Sequence, residues 1–320
     1  MAKQKSGISM VRDSSRKLTP LQHFWRDKWL LLLLLPTIVA LILFNYVPMY
    51  GLAMAFQNYK IGSPIIAFDG SVEWVGLKHF KDFITSIFFT RVFGNTLRLS
   101  FENILFGFWV PILFALLLNE IKTKWYKKIT QTFVYLPYFV STVIVVSILM
   151  NMVSSEGVVN RLIMFFGGKS IPFMQKAEYF DFLYIVSQIW QTFGYSSIIY
   201  LAGIASIDPT LYEAATIDGG HRLHMMWHIT IPGILPTAIT LLILAIGGVL
   251  GSNTDKILLM YSAPLYSKAD VIGTYVYRIG LVNAKYSYTA AVGLFSNVVS
   301  FILVFGANML SRKFTDYSLW

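Results

Sequence analysis

The run WLLLLLLPTIVALILFNYVPMY, Trp29 to Tyr50, decides the fold class. It holds six successive leucines, Leu30–Leu35, and no charged residue. About 20 such residues, wound as a helix, cross the roughly 30 Å hydrocarbon core of a bilayer. Five further stretches have the same character, at about 92–119, 133–153, 182–207, 233–253 and 289–310. The sequence therefore reads as an all-α membrane protein with six transmembrane helices. Composition agrees: 56% of the chain is hydrophobic and only 13% charged, where soluble domains carry about a quarter charged residues. Mean hydropathy is +0.60. The absence of cysteine excludes disulfides, thiolate metal sites and cysteine nucleophiles together.

The net charge of +10 would suit nucleic acid, but its placement points to membrane orientation instead. Lys3, Lys5, Arg12, Arg16, Lys17, Arg26 and Lys28 precede the first span, against Asp13 and Asp27. Lys122, Lys124, Lys127 and Lys128 sit between spans two and three, and Arg312 and Lys313 follow span six. By the positive-inside rule these segments face the cytoplasm, so both termini lie inside. The alternate loops, about 53–91, 154–181 and 254–288, are longer and mixed in charge. Residues 1–28 read as a cytoplasmic tail and 29–320 as the transmembrane domain. The first apolar run is near twice a cleaved signal's core and five spans follow it, so it reads as an anchor. No nucleic-acid partner is expected; membrane lipid is.

One loop, 208–232, is more ordered than a connector requires. Asp208 is a good N-cap and Pro209 suits the first helical position. Leu211, Glu213, Ala214, Ala215 and Ile217 favour a short helix, which Gly219-Gly220 ends. An apolar and basic stretch then leads to Pro232 and the fifth span. The spacing is Glu213-Ala214-Ala215, three residues, Gly219, nine residues, Ile229-Thr230-Ile231-Pro232.

That pattern resembles the Glu-Ala-Ala signature of permeases of type I ATP-binding-cassette (ABC) importers, with Ile231 in place of leucine. Further stretches resemble the carbohydrate-uptake branch: Tyr46-Val-Pro-Met-Tyr-Gly51, Asn95-Thr-Leu97, Ala115-Leu-Leu-Leu-Asn-Glu120 and Gln131-Thr-Phe-Val-Tyr-Leu-Pro137. So do Thr274-Tyr-Val-Tyr-Arg278, Tyr286-Ser287-Tyr288, Ala291-Val-Gly-Leu-Phe295 and Ser318-Leu-Trp320. The chain departs from that branch at Gly219-Gly220, usually Gly-Ala, and at Thr254-Asp255, often an aromatic-acidic pair. The resemblance implies a type I importer permease (MetI-like) fold in a bacterial cytoplasmic membrane. It implies a non-catalytic subunit that takes up oligosaccharides or polysaccharide fragments. Its partners would be a second permease, forming a heterodimer, two ATPase subunits and an external or lipoprotein solute-binding protein. No cofactor is expected in this chain, since ATP and Mg would sit on the ATPase. The coupling residues implied are Glu213, Ala214, Ala215, Asp218, Gly219, Ile229 and Pro232.

Competing readings are an ion-coupled secondary transporter, which would need no ATPase, and a membrane enzyme built on Glu213 and the histidines. Gly167-Gly-Lys-Ser170 mimics the end of a phosphate-binding loop, but Ile163 stands where its first glycine belongs and Pro172 follows. His221, His224 and His228 recur at helical spacing, which metal ligation or a basic face beside headgroups would each explain; no metal is assigned. Arg98 and Glu102, four apart in span two, are expected to pair or to line the pathway. Trp190, Gln191, Tyr195, Asn253, Asp255 and Asn297 supply aromatic faces and polar groups of the kind sugars need. Taken singly, each of these six reads as packing rather than as a substrate contact, since interfacial belts use the same residues.

Overall fold

A computed structural model describes residues 28–67, 70–251, 254–315 and 317–319. Regular structure among the described residues is helical, and an isolated bridge joins Gln57 to Trp74. The chain divides into two compact units, residues 1–52 and 53–320.

The first unit holds α1 (Lys28–Leu41), which continues through a π-turn at Ile42–Tyr46 into a short helix at Val47–Met49. Leucine-rich composition makes it helical, because in lipid each backbone N–H and C=O must be satisfied within the segment. The π-turn has a local cause. Pro48 has no N–H and its ring crowds the carbonyl four residues back, so the helix widens just before it.

The second unit comprises α2 (Lys78–Ile84), α3 (Phe89–Glu120), α4 (Lys124–Tyr135), α5 (Thr142–Val153) and α6 (Val158–Phe165). These are followed by α7 (Phe180–Ala205), α8 (Pro209–Ile217), α9 (Arg222–Met225), α10 (Ile231–Gly247), α11 (Thr254–Met260), α12 (Tyr266–Ala269), α13 (Ile272–Val276) and α14 (Tyr286–Phe314). The most extensive helix pairing is α3 with α7. Helix α3 enters all three apolar cores. Leu99 packs with Tyr184, Ile257 and Met260; Ile112, Ala115 and Leu116 pack with Tyr200, Ile204 and Ile234; Val92 packs with Phe83, Tyr275 and Val292. Because lipid tails are as apolar as leucine, these contacts hold through packing and interhelical hydrogen bonds rather than hydrophobic transfer. One such bond runs from Ser100 Oγ to the carbonyl of Val249, at 2.5 Å.

Among the described residues five helical stretches are long and apolar enough to cross a membrane: 28–56, 89–120, 142–165, 222–247 and 286–314. The expected fourth span differs. Helix α7 has 26 residues, about 39 Å at 1.5 Å each, but Asp181, Gln188, Gln191 and several hydroxyls dilute its apolarity below that of the five. The expected third span is broken: Pro137 sits in a 3-10 turn, Leu136–Phe139, that separates α4 from α5. The expected fifth begins earlier, at Arg222. It passes a π-turn, Met226–Thr230, just ahead of Pro232, by the same proline effect as at Pro48.

Candidate functional site

The loop 208–232 is a closed hairpin. Asp208 Oδ1 accepts from the Thr210 N–H at 3.0 Å, which caps α8 and lowers the Asp208 pKa. At the other end Gly219 adopts φ +76°. Its N–H donates to Thr216 O at 3.1 Å, and the Gly220 N–H donates to Ala215 O at 2.8 Å. These two bonds form a Schellman stop. The helix is then tied back on the next one: Tyr212 Oη meets Thr230 Oγ1 at 3.0 Å. Among the residues left outward are Leu211, Glu213, Ala214, Ile217 and Asp218, with Ile217 86% exposed. Ala215 and Ile229 are half-buried in the hairpin, and Pro232 is exposed at the start of α10. Among the described residues no three His, Cys, Asp or Glu side chains form a group that could hold a metal ion. His224 and His228 stack with centroids 4.1 Å apart, and His228 Nδ1 lies 3.0 Å from the His224 carbonyl.

A second feature is a polar cleft of about 520 Å³ between α7, α11 and the 3-10 turn before α5. Gln191 and Asp255 line it, with Tyr138, Gln188, Thr192 and Lys256. Gln191 is buried; its Nε2 donates to Val140 O at 3.2 Å and its Oε1 accepts from Lys256 Nζ at 3.1 Å. Tyr195 stacks flat on Tyr138, centroids 3.8 Å apart. Trp190 lies elsewhere, beside an apolar pocket with Val145, Ile148 and Met152. Asn297 is exposed on α14, and Asn253 falls outside the described residues.

Arg98 does not pair with Glu102. Its guanidinium lies 3.0 Å from Asp181 Oδ2 on α7 and donates to the Lys268 carbonyl at 3.0 Å. The packing of α7 and α12 on α3 offers a carboxylate from one and a carbonyl from the other, and this wins over a single partner on Arg98's own helix. Glu102 is half-buried on α3 without a cation within 4 Å among the described residues.

Residues 107–316 match the family model of the binding-protein-dependent transport system inner membrane component. The chain belongs to this family. The permease is 44% identical over 296 residues to protein LplB of Bacillus subtilis (strain 168), covering 92% of each chain. It is 45% identical over 296 residues to the polygalacturonan/rhamnogalacturonan transport system permease protein YteP of the same organism, covering 92% of this chain and 91% of that one. Among solved structures, a chain of a bacterial ABC transporter that imports the acidic polysaccharide alginate superposes with a TM-score of 0.82. The two are 42% identical, with 92% and 98% of the chains covered. A second structure holds that transporter with an alginate pentasaccharide-bound periplasmic protein, at a TM-score of 0.83 and 42% identity, covering 94% and 99%.

Two groups of the permease escape sequence reasoning. Lys256 is 2% exposed in the cleft, although its segment, Lys256-Ile-Leu-Leu-Met260, carries a readable signal: one cation in an apolar run. Asp270 is fully buried. Its Oδ2 accepts from Arg91 at 2.8 Å and from Arg278 at 2.9 Å, and its Oδ1 accepts from Tyr261 at 2.9 Å and from Thr274 at 3.2 Å. Arg278 also contacts Tyr261 directly. Thr274, Arg278 and Tyr261 lie within nine residues of Asp270, but Arg91 is 179 positions away, and no local pattern could have joined it to the others.

Proposed function

We infer that the chain is the transmembrane permease subunit of an ABC importer for oligosaccharides or polysaccharide fragments. In this reading α7 is the sixth span, both termini are cytoplasmic, and the hairpin 208–232 docks an ATPase subunit. The observation that carries it is the hairpin itself. A capped, stopped and tied helix that turns Ala214 and Ile217 outward is an exposed apolar surface built to a fixed shape, as a docking surface needs and a plain connector does not. Small side chains at 214 and 215 let a partner's backbone come close, and Glu213 and Asp218 offer carboxylates for basic groups in a socket. ATP and Mg belong to the two ATPase subunits, and this chain hydrolyses nothing. A second permease, different in sequence, completes the pore, and a solute-binding protein delivers cargo from outside. When the ATPases close on ATP, the docked hairpins move together and the cleft turns outward. The substrates named for the relatives, polygalacturonan, rhamnogalacturonan and alginate, support a polymeric saccharide cargo.

The test is uptake into proteoliposomes that hold the chain with its partner permease, its ATPases and its binding protein. Uptake of labelled oligosaccharide should require internal ATP and persist when ion gradients are collapsed. Gradient-driven uptake without ATPase subunits would replace this reading with a secondary transporter.

A further inference from the structure

Helix α11 carries a cation into the protein. Lys256 is 2% exposed, and its Nζ donates to Oε1 of Gln188 at 3.2 Å and to Oε1 of Gln191 at 3.1 Å. Both acceptors are neutral amides on α7. Among the described residues no carboxylate lies within 4 Å of Nζ. Asp255 lines the same cleft but is exposed, and adjacent residues on a helix do not face one another. Buried ammonium groups ordinarily have an anionic partner, because removing such a charge from water costs several kcal/mol. Two amide oxygens orient the ammonium without neutralising it. An ammonium has three donors, so two amides leave one for the cleft.

The cleft around it is built for a sugar. At about 520 Å³ it falls within the range that encloses small ligands. Tyr138, held flat against Tyr195, lines it with an aromatic ring. Gln188, Gln191 and Thr192 add amide and hydroxyl groups. A neutral saccharide would use the ring and the amides but leave the ammonium unbalanced. One carboxylate balances one ammonium; a phosphate dianion would exceed it.

We propose that Lys256 is the specificity-determining residue of the cleft and reads a carboxylate on the passing sugar, so the cargo is an oligosaccharide containing uronate units. This rests on the reading of the chain as a saccharide permease. Gln188 and Gln191 act as positioning residues that aim Nζ at the cleft.

The experiment uses the complete importer in proteoliposomes and compares ATP-driven uptake of trigalacturonate with that of its methyl ester, each saturating the binding protein. The wild type should favour the acid by at least about tenfold, the scale of one desolvated charge contact. Lys256→Met should bring the acid-to-ester ratio to about one, and Lys256→Arg should keep most of it. Gln188→Glu places a permanent carboxylate where Nζ already has an acceptor, and should also bring the ratio to about one. That variant relieves a buried charge, so it decides the matter even if Lys256→Met fails to assemble. A ratio unchanged in Gln188→Glu and Lys256→Met overturns the proposal, as does an equal fall for acid and ester in both. Active wild-type uptake with a ratio near one overturns it while leaving the saccharide permease standing. No ATP-driven uptake of either sugar removes both.

Discussion

At the residue scale, charges in this protein are satisfied by partners on other elements, near and far in sequence. Arg98 finds Asp181, and Asp270 gathers two arginines and two hydroxyls. These give two predictions of different size. A double-mutant cycle on Arg98→Gln and Asp181→Asn should show a coupling of about 1 kcal/mol, and one on Arg98→Gln and Glu102→Gln should show clearly less. Thermal melting of the detergent-solubilised protein reads both. Coupling confined to the 98–102 cycle would mean that the helix neighbour is the true partner after all. Asp270→Asn should be far worse, because it leaves two guanidinium groups crowded around a neutral amide. Losing one member of such a buried ionic cluster costs about 3–5 kcal/mol. Membrane yield should collapse for Asp270→Asn and hold for Asp181→Asn; equal yields would show that the cluster contributes nothing to assembly.

At the element scale, the same glycine pair solves the same problem twice. Gly167 (φ +84°) and Gly168 donate to Met164 O at 3.0 Å and Ile163 O at 2.9 Å, stopping α6 just as Gly219 and Gly220 stop α8. The sequence Gly167-Gly-Lys-Ser170, which imitates a phosphate loop, is therefore a helix stop. A side chain at 219 would meet no atom within 4 Å, so crowding is not what selects glycine there. The left-handed backbone is. For most L-residues that conformation costs about 1–2 kcal/mol, and asparagine is among those that visit it most readily. Gly219→Val should accordingly loosen the hairpin and reduce copurification of the ATPase, while Gly219→Asn should leave it near normal. If both variants retain the ATPase fully, the stop is dispensable for docking. Proline acts at this scale too: the π-turns at 42–46 and 226–230 each end two positions before a proline, Pro48 and Pro232.

At the scale of the whole molecule, charge placement sets sidedness. The lysine-rich 122–128 segment and the hairpin should share the cytoplasmic side with both termini, and residue 169 should lie opposite. In this cysteine-free chain Lys124→Cys, Gly220→Cys and Lys169→Cys can be labelled one at a time in whole cells with an impermeant reagent. Only position 169, which is exposed, should react. Labelling at 124 or 220 with none at 169 would invert the topology and remove the ATPase docking role from the hairpin.

Five of the expected spans, with the third shifted in its bounds, and the hairpin were legible along the chain because each rests on local physics. An apolar run must be helical in lipid, Asp208-Pro209 must cap, and Gly219-Gly220 must stop. Such rules act within a few residues, where sequence spacing and distance in space coincide. The cleft and the charge cluster were not legible for the opposite reason. Tyr138, Gln188, Gln191 and Lys256 meet only because α7 packs against the broken third span and α11. Their sequence signals, two glutamines in one apolar helix and a lone lysine in another, say that each needs a partner but not which one. Arg98 shows the limit most directly: its i+4 neighbour was the best local partner, and a carboxylate 83 positions away displaced it. Sequence alone determined that this chain crosses a membrane and carries a shaped loop between spans. Only the tertiary packing decided which charges are paired inside it, because pairing depends on which helix faces meet.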